Sequence, residues 1–169
     1  MMERDGTLVC RVPTQEELER RWETLAQNQD GGGNWSVWKD QALEQAEKGM
    51  CIPYYGFLGE EIVCEATAML CPEVVQNSAG LVDGSTAYLA AFRTVEEYQG
   101  KGYFSQLFTY LLEDLRKRGF TRVTLGVEPS QERNKAIYAH FGFTQLVKRG
   151  WETYPDGTAI PVEYYQRLL

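Results

Sequence analysis

The chain has 169 residues, a formal net charge of −7, 43% hydrophobic residues and 24% charged ones, the make-up of a soluble globular protein forming one domain with a sizeable core. The acidic balance argues against general nucleic-acid binding, which relies on Lys and Arg neutralising phosphate, and suits a cationic small molecule better. No run approaches the roughly 20 apolar residues of a membrane span, and the opening MMERDGTLVC has no apolar signal core, so a cytoplasmic protein without a membrane partner is expected.

TLVCRV at 7–12 reads as a short strand. After Pro13, Thr14 with Glu17 three positions later has the form of a capping box, and Leu18, Trp22 and Leu25 recur at helical spacing, predicting a helix over 14–27. The run Asp30, Gly31, Gly32, Gly33, Asn34 breaks it, and a second helix over 35–48 ends at Gly49. CIPYYGFL and EIVCEATAML, joined at Gly59 and Glu60, suggest an antiparallel hairpin. Residues 72–85 are polar and Gly-containing, a surface loop by composition, and AYLAAFRTV at 87–95 is a third extended run.

Phe104, Leu107, Phe108, Leu111 and Leu115 mark one face of a long helix that stops at Gly119. TRVTLGV at 121–127 alternates as a strand, 131–140 is a short helix, and FTQLVKRG and IPVEYYQRLL close the chain as strands around a Pro155, Asp156, Gly157 turn. This order predicts an α/β (α+β) fold in which a mixed sheet carries helices on its faces, a single domain over residues 1–169. Cys10, Cys51, Cys64 and Cys71 form no C-x-x-C pair and His140 is the lone histidine, so no metal site is expected and the cysteines read as buried free thiols. His140 itself reads as a helix-end residue favoured by the dipole.

Residues 96–108, EEYQGKGYFSQLF, place Gly100, Lys101 and Gly102 where a helix begins. The first turn of a helix leaves backbone N–H groups unpaired and carries partial positive charge, and glycine lets them approach a pyrophosphate without a Cβ in the way. A P-loop needs G-x-x-x-x-G-K-[ST], which is absent, and a dinucleotide fingerprint needs a third glycine where Ser105 stands.

The stretch resembles the acyl-CoA loop of the GNAT superfamily of N-acyltransferases, [RQ]-x-x-G-x-[GA] at a helix start. Gln99, Gly100, Lys101, Gly102 and Tyr103 match, while Phe104 replaces the final small residue. A second motif of that superfamily, N-x-x-A-x-x-[LF]-Y-x-x-x-G-F, is similar to QERNKAIYAHFGF at 131–143: Tyr138, Gly142 and Phe143 stand in register, with Gln131 and Asn134 at the Asn and Ala positions. The element order agrees from residue 7 to 169.

The resemblance implies a mostly antiparallel sheet of about seven strands with a splayed central parallel pair. It also implies transfer of an acetyl group from acetyl-CoA to a primary amine of a small molecule or peptide by direct attack. The pyrophosphate would lie on the helix start through Gly100, Gly102, Tyr103, Phe104 and Ser105, with Gln99 and Lys101 beside it. The pantetheine arm would pair with backbone at Phe92, Arg93, Thr94 and Val95 like an added strand, and Asn134 would touch the cofactor. Tyr138 matches the tyrosine beside the CoA sulfur and is the expected proton donor.

Glu65, which interrupts an apolar strand, is the candidate base, with a salt-bridged or edge-facing glutamate as the other reading. Glu96, Glu97 and Glu128 are expected near the same cleft. Acceptor recognition would fall to the first two helices and DGGGNWSVW, where Trp35 and Trp38 either stack on a cation or anchor the second helix. The expected partner is thus a small-molecule amine, cationic in keeping with the acidic chain; a homodimer is a further option. A non-catalytic CoA-binding module and a longer-acyl transferase are the rival readings.

Overall fold

A computed structural model describes residues 6–28 and 33–169. Asp30, Gly31 and Gly32 of the expected helix-breaking run, and the first residues of the opening segment, lie outside the described residues. The elements are β1 (Val9–Arg11), α1 (Gln15–Asn28), α2 (Asn34–Glu47), β2 (Cys51–Leu58), β3 (Glu61–Met69), β4 (Thr86–Thr94), α3 (Tyr103–Lys117), β5 (Arg122–Val127), α4 (Glu132–His140), β6 (Gln145–Thr153) and β7 (Ala159–Leu168). They form one seven-stranded sheet in the order β1-β2-β3-β4-β5-β7-β6. Every neighbouring pair is antiparallel except β4 and β5.

The predicted punctuation is realised atom by atom. The Glu17 amide donates to Thr14 Oγ1 at 3.2 Å and the Thr14 amide to Glu17 Oε1 at 2.9 Å, the reciprocal capping box that starts α1. Strand alternation then divides side chains between the two faces. Tyr54, Val63, Ala87, Leu89, Val123 and Leu125 pack under α3 and α4, and Tyr54 donates to Asp114 of α3 at 2.6 Å. Tyr55 and Phe57 face the opposite way, against Leu18, Trp22 and Leu25 of α1.

The segment 72–85 is more than a surface loop. Val75, Leu81 and Val82 are buried with Tyr88, Val162 and Tyr164 in a cluster of their own, and Gln76 exchanges two hydrogen bonds with the backbone of Thr153. Composition misled because three apolar residues scattered among polar ones carry no period, yet together they roof the part of the sheet that α1 and α2 leave uncovered. Among the cysteines, all four are free; Cys51 and Cys64 are buried while Cys10 and Cys71 are half-buried. Burial pushes the Cys51 and Cys64 thiols up to about 11 and about 12, so both stay protonated at neutral pH. Among the described residues no helix is long and apolar enough to cross a membrane.

Candidate active site

The site begins with a break in β4. Its pairing with β3 runs Met69↔Tyr88, Ala68↔Leu89 and Thr67↔Ala90, then skips to Glu65↔Arg93 and Cys64↔Thr94. Two β4 residues therefore oppose one on β3, a β-bulge, and Ala91 absorbs it at φ 57°. The bulge shifts the alternation by one. Ala87 and Leu89 point toward α3, and after the bulge Phe92 points there too, while Arg93 turns to the α1 side.

The same bend ends the parallel pairing. β4 meets β5 only from Thr86↔Arg122 to Leu89↔Leu125, whereas β5 continues along β7 as far as Val127. Beyond Leu89 the two strands separate, and among the described residues the β5-side edge of β4 is left without a strand partner. An open edge of this kind accepts an extended chain as an extra strand.

A cleft of about 390 Å³ occupies the gap, lined by Phe92, Arg93, Thr94, Tyr98, Gln99, Gly100, Gly102, Tyr103, Phe104, Ser105, Arg133, Asn134, Ile137 and Tyr138. Of the residues the sequence singled out for cofactor contact, Lys101 and Val95 alone are outside that lining. Lys101 lies over the Tyr98 ring, 5.7 Å from its centroid, and the Val95 amide donates to Val63 O at 2.9 Å. Arg93 contributes backbone, since its guanidinium is engaged on the other face.

At the floor, Gly102 caps α3 in the left-handed conformation, φ 83°, as Gly100 does before it at φ 76°. The first helical bond runs from Gln106 N to Gly102 O at 3.2 Å, so the amides of Tyr103, Phe104 and Ser105 precede the helical ladder. Phe104, the departure from the acyl-CoA loop pattern, lines the cleft and also packs against the core. Its ring packs 5.5 Å from Phe108, 5.9 Å from Phe92 and 6.4 Å from Phe141.

Tyr138 enters from α4 on the wall opposite β4, its ring 5.4 Å from that of Phe92. Burial pushes its phenol up to about 12, so the proton is retained throughout the neutral range. α4 is held in place at its C-terminal end by Gly142 at φ 93° and by an Arg167 guanidinium donating to Phe141 O at 2.9 Å. Asn134 donates to Gln131 Oε1 at 3.0 Å, which fixes the amide pair at the start of the same helix. Arg133, Tyr98 and Ile137 also line the cleft, beyond the residues expected there. Arg133 and Ile137 were legible only as the i, i+4 neighbours that flank Asn134 and Tyr138, and a lone cation has no spacing signature.

Glu65 is not in the cleft lining. It is buried, and its two oxygens are taken by Arg21 Nε on Oε2 and by Arg93 Nε on Oε1, the latter at 2.7 Å. Arg93 in turn lies over the rings of Trp22 and Trp35, at 5.1 and 5.4 Å. The salt-bridged reading of Glu65 therefore describes its surroundings: both carboxylate oxygens are taken by guanidinium donors, and the side chain is committed to that pairing. Trp35 sits between Trp22 and Trp38, and Trp38 packs edge-on to Tyr154 at 5.3 Å. The two tryptophans thus anchor α2 in an aromatic row that reaches the β6–β7 turn. Asn34 completes that join by donating to Asp156 Oδ2 at 3.0 Å and accepting from the Asp156 amide at 2.9 Å.

Glu96 and Glu97 are exposed in the short 3-10 turn after β4, and Glu128 follows β5. His140, at the end of α4, is exposed with its ring 5.5 Å from that of Phe141.

Comparison with known proteins agrees with this geometry. N-alpha-acetyltransferase 30 of Schizosaccharomyces pombe is 29% identical over 91 residues, covering 54% of this chain and 57% of that protein. The chain thus spans little more than half the length of the curated relative it matches. The ribosomal L7/L12 alpha-N-protein acetyltransferase RimL, solved in complex with coenzyme A, superposes with a TM-score of 0.68 at 16% identity over 99% of this chain and 97% of its own. The aminoglycoside acetyltransferase AAC(6')-Ib, also solved with coenzyme A, gives 0.67 at 20% identity over 96% and 95%. The model of the acetyltransferase (GNAT) family matches residues 13–143. With that match over most of its length, the chain belongs to the acetyltransferase (GNAT) family.

Proposed function

We propose that this protein is an acetyl-CoA-dependent N-acetyltransferase that acetylates a primary amine of a small molecule or peptide by direct attack. The observation that carries the reading is the convergence, in one cleft, of a glycine-opened helix start, an unpaired strand edge and a protonated phenol.

The amides ahead of the α3 ladder, with Arg133 across from them, receive the diphosphate of the cosubstrate. The β4 edge from Phe92 to Thr94 pairs with the pantetheine amides, and this extended arm delivers the thioester toward Tyr138. A β4 amide polarises the thioester carbonyl, a contact worth about 3 kcal/mol in the transition state when aligned. The amine nitrogen attacks the carbonyl carbon, the C–S bond breaks, and Tyr138 gives its proton to the departing sulfur. Glu65 acts at a distance in this scheme: it holds Arg93, and through Arg93 the bulged strand.

Two measurements test the reading. Calorimetric titration with coenzyme A is expected to show saturable, salt-sensitive binding, since a diphosphate is held by partial and full positive charges. Free-thiol release from acetyl-CoA is then followed with spermidine, kanamycin and an Ala-Gly-Gly peptide as acceptors. Absence of coenzyme A binding would remove the basis of the proposal.

A further inference from the structure

Acetylation needs a neutral amine, and an amine with a lysine-like pKa is neutral at pH 7 in only about one molecule in a thousand. A group must therefore take a proton, and Glu65, the acid the sequence suggested, has both oxygens engaged by Arg21 and Arg93. A different carboxylate meets the requirement. Glu152, on β6, accepts from the Tyr164 hydroxyl at 2.9 Å and from the Tyr88 hydroxyl at 3.4 Å, and among the described residues it forms no salt bridge.

Tyr88 ties this acid to the cleft. It immediately precedes Leu89, the last β4 residue paired with β5, so its side chain stands at the apex of the splay on the face opposite α3. Gly126, the first β5 residue beyond that last pair, makes the room: a Cβ there would lie 2.8 Å from the Tyr88 hydroxyl and 2.7 Å from Val162 Cγ1.

The groups facing Glu152 are uncharged: Tyr88 from β4, Tyr164 from β7, and Tyr154, just past the end of β6. Tyr164 is itself held by Asn77 Nδ2 at 3.0 Å. Glu128 and Asp156 act on the same Tyr154. Burial raises the Glu152 carboxyl above the usual carboxylate range, although the two phenols pull it down, and a base is most effective with a pKa closer to the working pH. Tyr154, packed edge-on against Trp38, offers an aromatic ring to the carbon attached to an ammonium.

We infer that Glu152, positioned by the Tyr88 and Tyr164 hydroxyls, is the proton acceptor for an acceptor substrate that arrives as a primary ammonium on the α2 and β6–β7 side of the splayed strands. The inference rests on the transferase reading above. Glu152 takes one proton from R–NH3+ and releases it to water. The nitrogen then forms its bond to the thioester carbon, and the C–S bond breaks as Tyr138 protonates the sulfur. The second nitrogen proton returns to the tyrosinate, leaving amide, free thiol and one proton in solution.

The test uses the full-length protein with the parent and Glu152→Gln, Glu152→Asp and Tyr164→Phe variants, each checked for folding by its thermal transition. Coenzyme A affinity is measured first, so that loss of cosubstrate binding by the parent, which defeats the transferase reading, is distinguished from failure of the proton-acceptor role alone. On the fastest of the spermidine, kanamycin and Ala-Gly-Gly probes, Glu152→Gln is expected to lower kcat/KM about 10²-fold or more and to abolish the acidic limb of its pH profile. Coenzyme A affinity stays within twofold, and Glu152→Asp restores part of the rate. Tyr164→Phe removes a bond that lowers the carboxyl pKa, so the acidic limb moves to higher pH; this readout survives if the glutamine variant fails to fold. A limb unmoved by these changes, a Glu152→Gln rate within twofold of the parent, or no transfer to any probe by parent protein that binds coenzyme A overturns the assignment.

Discussion

Glu65 and Glu152 are both carboxylates on strands of one sheet, and their surroundings are opposites. Glu65 is buried and clasped by two guanidiniums, one of which, Arg93, lies over Trp22 and Trp35. Glu152 is half-buried with two phenols for partners. Both Glu65 oxygens are engaged by guanidinium donors, so it serves as a strut. Around Glu152, neutral donors orient the carboxylate and lower its proton affinity, but burial raises it by more, so it can exchange a proton. What surrounds an acid, rather than its interruption of an apolar strand, separates support from chemistry.

The largest expected effect breaks the strut. Glu65→Ala leaves Arg21 and Arg93 without their carboxylate in a largely buried setting, and removal of one partner of such a pair costs about 3 to 5 kcal/mol. Urea denaturation is expected to show that loss, with the remaining folded protein still binding coenzyme A. Tyr138→Phe should leave the fold intact, its hydroxyl being the only group removed, and lower turnover on the order of 10²-fold while the coenzyme A dissociation constant stays nearly unchanged. An unchanged rate would reject the proton-donor role.

Smaller effects probe the scaffold. Nothing lies within 4 Å of a Cβ built on Gly102, so Gly102→Ala meets no clash, but its φ of 83° is unfavourable for alanine. A stability loss of about 1 kcal/mol, accompanied by weaker coenzyme A binding in calorimetry, is the expected result. Thr14→Ala removes the side-chain half of the α1 capping box and should cost about 1 kcal/mol in chemical denaturation. The mildest effect is in acid. The Arg11 guanidinium, helped by Thr14, holds Glu17 down to about 2, below the unfolded value of about 4.3. A depressed folded pKa means stability present above the unfolded pKa and lost as pH falls through the folded one. The difference in thermal stability between the parent and Glu17→Gln should therefore shrink steadily between about pH 4.3 and about pH 2.

Sequence periodicity locates the helices and strands well, because each carries its own signal. The Thr14 and Glu17 box, the glycines at 49, 102 and 119, and the alternation in β2 and β5 are local patterns that local physics obeys. The sequence predicts β6 over 143–150, whereas the strand occupies Gln145–Thr153; that shift brings Glu152 into the sheet, beyond the end of the expected strand. The cover formed by Val75, Leu81 and Val82 is hidden for the related reason that its apolar residues have no regular spacing.

By itself the sequence determined the element order, the glycine-opened helix start and the tyrosine of α4, since these depend on neighbours a few positions apart. The tertiary structure decided where β4 bulges and parts from β5, and which acid the arginines claim. It also placed Tyr88, Glu152 and Tyr164 together, although they come from three different strands. The strength of an acid is set by burial and by nearby charge, and both exist only once strands remote in sequence have been brought side by side.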